Sequence, residues 1–244
     1  MDGLTGIPSL EPTALGFRAP RLSATLTDKK VAMNSTHTMP RYAESALITI
    51  DMQRDFLDGR PFEIVGTSAV VPTISRLVQF FRTKTRPIIH VVRLYRADGS
   101  NADISRRHLI EQGADLVRPG SVGAELAETL LPDGDIRLES EVLLAGNPQP
   151  VGPSEWIMYK PRWGAFFATR LEEHLRSLGI STVVFAGCNF PNCPRTSIYE
   201  ASERDFRVVA IEDAISGLYE KGRSELEGIG VSVLLAEDFL NEAV

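Results

Sequence analysis

Cysteine is scarce in this chain of 244 residues: there are two, Cys188 and Cys193. That excludes a disulfide framework and makes a reducing cytoplasm the expected setting. Histidine is nearly as rare, and its four positions, 37, 90, 108 and 174, show no metal-ligand spacing. A C-x4-C pair without further Cys or His partners falls short of a structural zinc's ligand set. No apolar run reaches about 18 residues, so no membrane span is expected. The opening "MDGLTGIPSLEPTALGFRAP" has no basic stretch followed by an apolar one, so no secretory signal is read there. Positive charge is not in excess either. The 26 Lys and Arg against 32 Asp and Glu leave a net charge of −6, which argues against a general nucleic-acid binder.

What the chain does have is apolar mass: 43% of its residues are hydrophobic, enough for one large core. Residues 1–43 lack a sustained apolar period and are scattered with Pro, Gly, Ser and Thr, so they read as a tail, and 44–244 as one domain. Met33 and Met39 read as candidate alternative starts, which would make part of this tail a start-site artefact. From residue 45 onward strands and helices alternate. Strands are expected at 45–50, 86–94, 154–160, 181–187, 207–214 and 231–236. Helices are expected at 69–84, near 103–115, at 121–132, 165–179 and 194–206, and roughly over 219–228. In the 165–179 helix, Phe167, Leu171, Leu175 and Leu178 fall on one face. This order predicts an α/β, three-layer Rossmann-like fold, with a six-stranded, mostly parallel sheet flanked by helices.

Open parallel sheets bind ligands beyond the carboxyl ends of their strands. Asp51 follows the first expected strand, Lys160 the third, and the loop after the fourth delivers Cys193. Each has a bland reading alone: a turn residue, a solvated strand end, a small buried thiol. Together they put a carboxylate, an ammonium and a thiol on one edge. Pro194 suits a first helical position, which places Cys193 at the N-cap, where helix dipole and free N–H groups favour thiolate. Cys188, at the end of an apolar strand, reads as a small buried hydrophobe.

Four stretches in order then resemble one family. "ALITIDMQRDF" is similar to the opening strand and D-x-Q-x-x-F motif of the isochorismatase-like cysteine hydrolases. "YKPRWGAFFATRLEEHLRSLGISTVVFAG" resembles their lysine motif, helix and next strand. "NFPNCPRTSIYEA" resembles the nucleophile loop, and "RVVAIEDAISG" the strand after it. The resemblance spans roughly residues 45–240. It implies an Asp51–Lys160–Cys193 catalytic triad. It also implies a cis peptide between Cys188 and Asn189, with the backbone N–H groups of Asn189 and Cys193 as oxyanion hole. The nicotinamidase branch carries an Asp/His metal cluster after the second strand; "HVVRLYRADG" has nothing like it, so neither a metal nor any other cofactor is expected. A homodimer or homotetramer is implied by the resemblance alone.

The expected reaction is hydrolysis of a C–N bond in a small amide, ureido or carbamoyl compound through a thioester. Phe56, Trp163, Phe190 and Asn192 are candidates for the substrate-pocket wall, with core packing the bland alternative. Arg93, Arg96, Arg106 and Arg107 are either carboxylate-binding groups, Arg93 first among them, or a solvated basic face. Asp213 reads as a cap or loop hydrogen-bonding residue. Three other readings stay open: vinyl-ether hydrolysis with Asp51 as acid, a catalytically silent binding subunit, and a Cys188–Cys193 redox switch.

Overall fold

Phe81, Phe239 and Ile74 on one side and Phe185, Ile198 and Leu175 on the other are all completely buried, in two separate apolar clusters. A sheet lies between them. The computed structural model describes residues 36–243, so residues 1–35 of the expected tail, Met33 included, lie outside the described residues. Residues 42–44 form a 3-10 turn against the domain, where the Tyr42 ring meets Phe239 edge-on at 5.5 Å.

In chain order the elements are β1 (Ser45–Ile50), α1 (Thr67–Thr83), β2 (Ile88–Val92) and α2 (Ile104–Glu111). They are followed by α3 (Ser140–Leu144), β3 (Gln149–Gly152), β4 (Glu155–Tyr159) and α4 (Leu171–Ser177). The chain ends with β5 (Thr182–Gly187), α5 (Cys193–Ser202), β6 (Arg207–Ile215), α6 (Glu220–Gly228), β7 (Ser232–Leu234) and α7 (Ala236–Glu242). The sheet order is β3-β4-β2-β1-β5-β6-β7, parallel except for β3.

The sheet therefore has seven strands and not six. The extra one, β3, is a four-residue antiparallel edge strand containing Pro150 and Gly152, residues that read as a turn and are tolerated only at an edge. All six residues of β1 are buried, as a central strand covered on both faces requires. Helices α1 and α7 cover one face; α4, α5 and α6 cover the other. Each fully buried Leu, Ile or Phe contributes about 1.5–3 kcal/mol, so the two clusters supply most of the fold's cohesion.

Two expected helices are altered. Residues 121–132 form two 3-10 turns, at 122–124 and 128–130. Between them Leu126 pairs with Gln53 and the Ala127 N–H donates to the Met52 carbonyl, which takes the backbone out of a helix. The 165–179 helix is shortened to α4. Ala168 adopts φ 51°, Thr169 Oγ1 donates to the Ala165 carbonyl at 2.6 Å in place of the Thr169 N–H, and the N–H groups of Ala165 and Phe166 donate to Ser197 Oγ (3.0 Å) and Glu200 Oε2 (2.8 Å) on α5. Phe167 and Leu178 are consequently exposed, and only Leu171 and Leu175 of the expected apolar face are buried. Among the described residues no helix is long and apolar enough to cross a membrane.

The register sets up the site. Ile50 lies beside Val91 on one side and Gly187 on the other, and Val92 lies beside Tyr159. Asp51, Arg93, Lys160 and Cys188 therefore leave the sheet along one edge. The order of connections reverses at β1, the switch point where such sheets open a crevice.

Candidate active site

Asp51 leaves β1 in the left-handed region, at φ 50°, an uncommon conformation for a residue with a side chain. Its Oδ2 accepts from Lys160 Nζ at 2.8 Å, and both side chains are at most 5% exposed. Its other oxygen, Oδ1, is buried and has no hydrogen-bond partner among the described residues. Lys160 Nζ also donates to the Arg162 carbonyl at 3.3 Å. The fourth strand-end residue, Cys188, is buried in the core, as expected, and its thiol donates to the Asp51 carbonyl at 3.5 Å. Burial, with the Asp51 charge second, pushes that thiol well above its ordinary value.

The chain leaves β5 through Gly187, at φ 127°, where a Cβ would lie 2.3 Å from the Ile50 carbonyl oxygen, so only glycine fits. The Cys188–Asn189 peptide is trans, as are all described peptide bonds; the cis bond implied by resemblance is absent. Asn192, at φ −118° and ψ −99°, is the helix N-cap, so Cys193 opens α5 as its first helical residue and is not itself the cap. The Phe190 and Asn192 N–H groups are used, on Ser216 and Asn189 carbonyls. Among the described residues, those of Asn189 and Cys193 donate to no protein acceptor.

Asp51, Asn189, Asn192 and Cys193 line one small cavity of about 40 Å³, together with Phe56, Arg93 and Trp163. Ile64, Tyr95, Asp103, Arg106, Leu116 and Cys188 complete its wall. Phe190 does not join them. It is fully buried in the core and meets Tyr219 edge-on at 5.4 Å, because the loop turns its ring inward. Its ring fills the space a Gly222 Cβ would occupy, 2.3 Å from that position. Gly222→Ala is accordingly expected to overpack the core by about 1–3 kcal/mol and to shift the 188–192 loop. Thermal unfolding and the alkylation rate of Cys193 would read the two effects.

The thiol of Cys193 is pushed up, by burial first and the Asp51 carboxylate second, against the downward pull of Lys160 and Arg93. Burial beside a carboxylate thus works against the thiolate that the helix start is expected to favour. Arg93 is buried, not part of a solvated face. Its Nη1 donates to Tyr95 Oη (2.9 Å) and Asp103 Oδ2 (2.7 Å), and its Nη2 to the Arg162 carbonyl (2.8 Å) and Cys193 Sγ (3.7 Å). Gln53 pins the Arg93 backbone, accepting its N–H at 2.8 Å and donating to its carbonyl at 2.7 Å. Burial alone would raise Asp103, but bonds from Ser105 and Tyr95 and the Arg93 charge hold it below the ordinary carboxylate range. Arg96 and Arg107 are exposed and absent from the cavity wall. Asp213 accepts from the Ala236 N–H at 2.8 Å, capping α7. His90, buried between Thr49 and Glu155, is held by the sheet. Among the described residues no group of three or more His, Cys, Asp or Glu is placed to hold a metal ion.

The family model for the isochorismatase domain matches residues 45–226. The chain belongs to the isochorismatase family. An isochorismatase-family protein from Desulfovibrio vulgaris has a solved structure that superimposes with a TM-score of 0.69 at 32% identity, covering 82% of this chain and 97% of its own. Maleamate amidohydrolase from Pseudomonas putida is 34% identical over 70% of this chain and 71% of its own length. A protein of Arabidopsis thaliana named "Probable inactive nicotinamidase" is 28% identical over 83% of this isochorismatase-family chain and 97% of its own length. Of the site, the sequence left unread Gln53, Tyr95 and Asp103. Gln53 stood inside a quoted motif and was open to recognition; the Arg93–Asp103 pair spans ten residues with no local period to link it.

Proposed function

We propose that this isochorismatase-family hydrolase cleaves a C–N bond of a small amide, ureido or carbamoyl compound through a thioester on Cys193. The observation that carries the reading is the meeting of Asp51, buried and with one oxygen unpartnered among the described residues, with Lys160 and the half-buried Cys193 thiol at one cavity edge.

Asp51 takes the thiol proton as the sulfur attacks the carbonyl carbon. Burial beside the carboxylate works against the transfer, and the neighbouring cations lower its cost. The Asn189 and Cys193 N–H groups receive the tetrahedral oxyanion, an interaction worth about 2.7–4 kcal/mol per donor. Asp51 returns the proton to the departing nitrogen, the C–N bond breaks, and the acyl group remains on sulfur. Water, deprotonated by Asp51, then attacks the thioester, releasing the acid and restoring the thiol. Lys160 holds Asp51 in place throughout.

The charge of the cavity narrows the substrate. Lys160 and Arg93 are each paired with a carboxylate. Arg106 is exposed on the wall and has no ion pair or hydrogen bond through its side chain among the described residues. One uncompensated cation beside the apolar Phe56, Ile64 and Leu116 suits a small amide with one negative charge. The Pseudomonas putida relative is named for maleamate. The test is a panel of neutral and anionic amides, ureas and carbamoyl compounds, read by ammonia release. Anionic members should be preferred, and Arg106→Gln should raise their KM about tenfold or more, in line with a charged hydrogen bond of ~1.5–3 kcal/mol, without touching neutral ones. No turnover on any member, with Cys193 no more reactive than a free thiol, would make the domain a binding subunit instead.

A further inference from the structure

Two carboxylate–cation pairs stand in the wall of the cavity, Asp51 with Lys160 and Asp103 with Arg93. Both cations donate to one acceptor, the Arg162 carbonyl, at 3.3 Å from Lys160 and 2.8 Å from Arg93. Of the two, Arg93 also contacts the nucleophile, with Nη2 3.7 Å from Cys193 Sγ. Its position is fixed from behind by Gln53 on its backbone and by Tyr95 and Asp103 on its guanidinium.

We propose that Arg93 is a further catalytic residue, whose guanidinium carries the negative charge that appears on the Cys193 sulfur once Asp51 takes the thiol proton. This rests on the hydrolase reading above. In the thiol form the four charged groups cancel and the sulfur is neutral. Proton transfer moves a negative charge from the Asp51 carboxylate to the sulfur with no change in total. Lys160, hydrogen-bonded to Asp51, pulls on the new charge through space, and Arg93 is the cation whose N–H donates to the sulfur itself. A guanidinium does not lose its proton in a protein, so Arg93 cannot compete with Asp51 as the base and only donates. When the C–S bond forms, the sulfur becomes neutral and the contact relaxes. When water later expels the sulfur as a leaving group, the same N–H receives its charge again.

The ionisable groups facing the thiol are Asp51 from the end of β1, Arg93 with Tyr95 and Asp103 from beyond β2, Arg106 from α2, Lys160 from beyond β4 and Cys188 from the end of β5. Against that background, the pH dependence of iodoacetamide alkylation at Cys193, read by mass spectrometry, isolates the contribution of Arg93. An opposite charge this close moves a titration by roughly one to three units. Arg93→Gln should therefore move the thiol titration upward by about that much, slowing alkylation at neutral pH roughly tenfold per unit. Arg93→Lys, which keeps the charge, should stay nearer the parent. Because Arg93→Gln leaves Asp103 buried without its cation, the Arg93→Gln/Asp103→Asn double variant is measured beside it and should keep a smaller upward shift. An unchanged titration in a folded Arg93→Gln protein or in the double variant overturns the proposal, even if turnover falls, since a merely structural arginine would do the same. Alkylation reads the sulfur directly, so the result is separate from the hydrolase reading, which fails instead if Cys193→Ser retains turnover.

Discussion

Cys193→Ser is expected to lower turnover by roughly 10⁴- to 10⁶-fold, the scale seen when a hydrolase loses its nucleophile, while the melting temperature stays close to the parent's. A serine hydroxyl at this position meets the same base and the same free N–H groups, but it does not ionise in a way that Asp51 can exploit. The side chain is half-buried at the start of α5 and makes only peripheral core contacts, so little packing is lost. Ammonia release from the best panel substrate measures the first effect. Acid-quenched parent protein should carry the acyl mass on the Cys193 peptide, and the variant should not. The same substitution separates the rival chemistry, since vinyl-ether cleavage driven by Asp51 as acid needs no sulfur and would survive it. Full turnover by the serine variant would end the thioester mechanism.

The parallel core was legible because its strands are buried on both faces and so appear as unbroken apolar runs. β1 falls at the expected residues, and the other five expected strands are each found within two residues at either end. What could not be read was structure set by distant partners. β3 exists because β4 offers it an edge, and its own Pro150 and Gly152 argue the other way. Residues 165–170 carry a helical pattern, yet Ala168 turns left-handed and the segment is tied through its Ala165 and Phe166 N–H groups to Ser197 and Glu200, some thirty positions later.

The site divides along the same line. Asp51 and Lys160 were readable because a polar residue directly after an apolar strand must emerge at the carboxyl edge, and Cys193 because the loop after β5 opens there too. Arg93 obeys the identical rule, one residue past β2, and stands first among four arginines in the sequence reading, but as a group for a substrate carboxylate and not as a contact of the sulfur. Its burial depends on Asp103, Tyr95 and the Arg162 carbonyl, all brought in by tertiary structure. The ionisation of Cys193 was legible only in part for a related reason. Helix position is visible in sequence, whereas desolvation and the proximity of Asp51 are not.

Lys160→Met is expected to destabilise the protein by about 3–5 kcal/mol, the cost of stranding one partner of a buried ion pair. At roughly 2–4 °C per kcal/mol for a domain of this size, the melting temperature should fall by about 6–20 °C. The lysine is completely buried and its carboxylate partner nearly so, which leaves solvent little chance to screen the orphaned charge. Among the described residues Asp51 Oδ1 has no hydrogen-bond donor, so losing Lys160 would take the cation that holds the carboxylate. Without the ammonium, Asp51 also loses the contact that holds it as a base toward Cys193. Stability and turnover should therefore fall together. The Asp51→Asn/Lys160→Met double variant pulls them apart: with both charges gone the fold should recover most of the lost stability, because a neutral pair of similar volume replaces a buried ion pair at little cost, while turnover stays absent for want of a base. Calorimetry and ammonia release on the single and double variants complete the cycle. A Lys160→Met protein that melts and turns over like the parent would mean that the 2.8 Å contact between ammonium and carboxylate neither stabilises the fold nor holds Asp51 for the reaction.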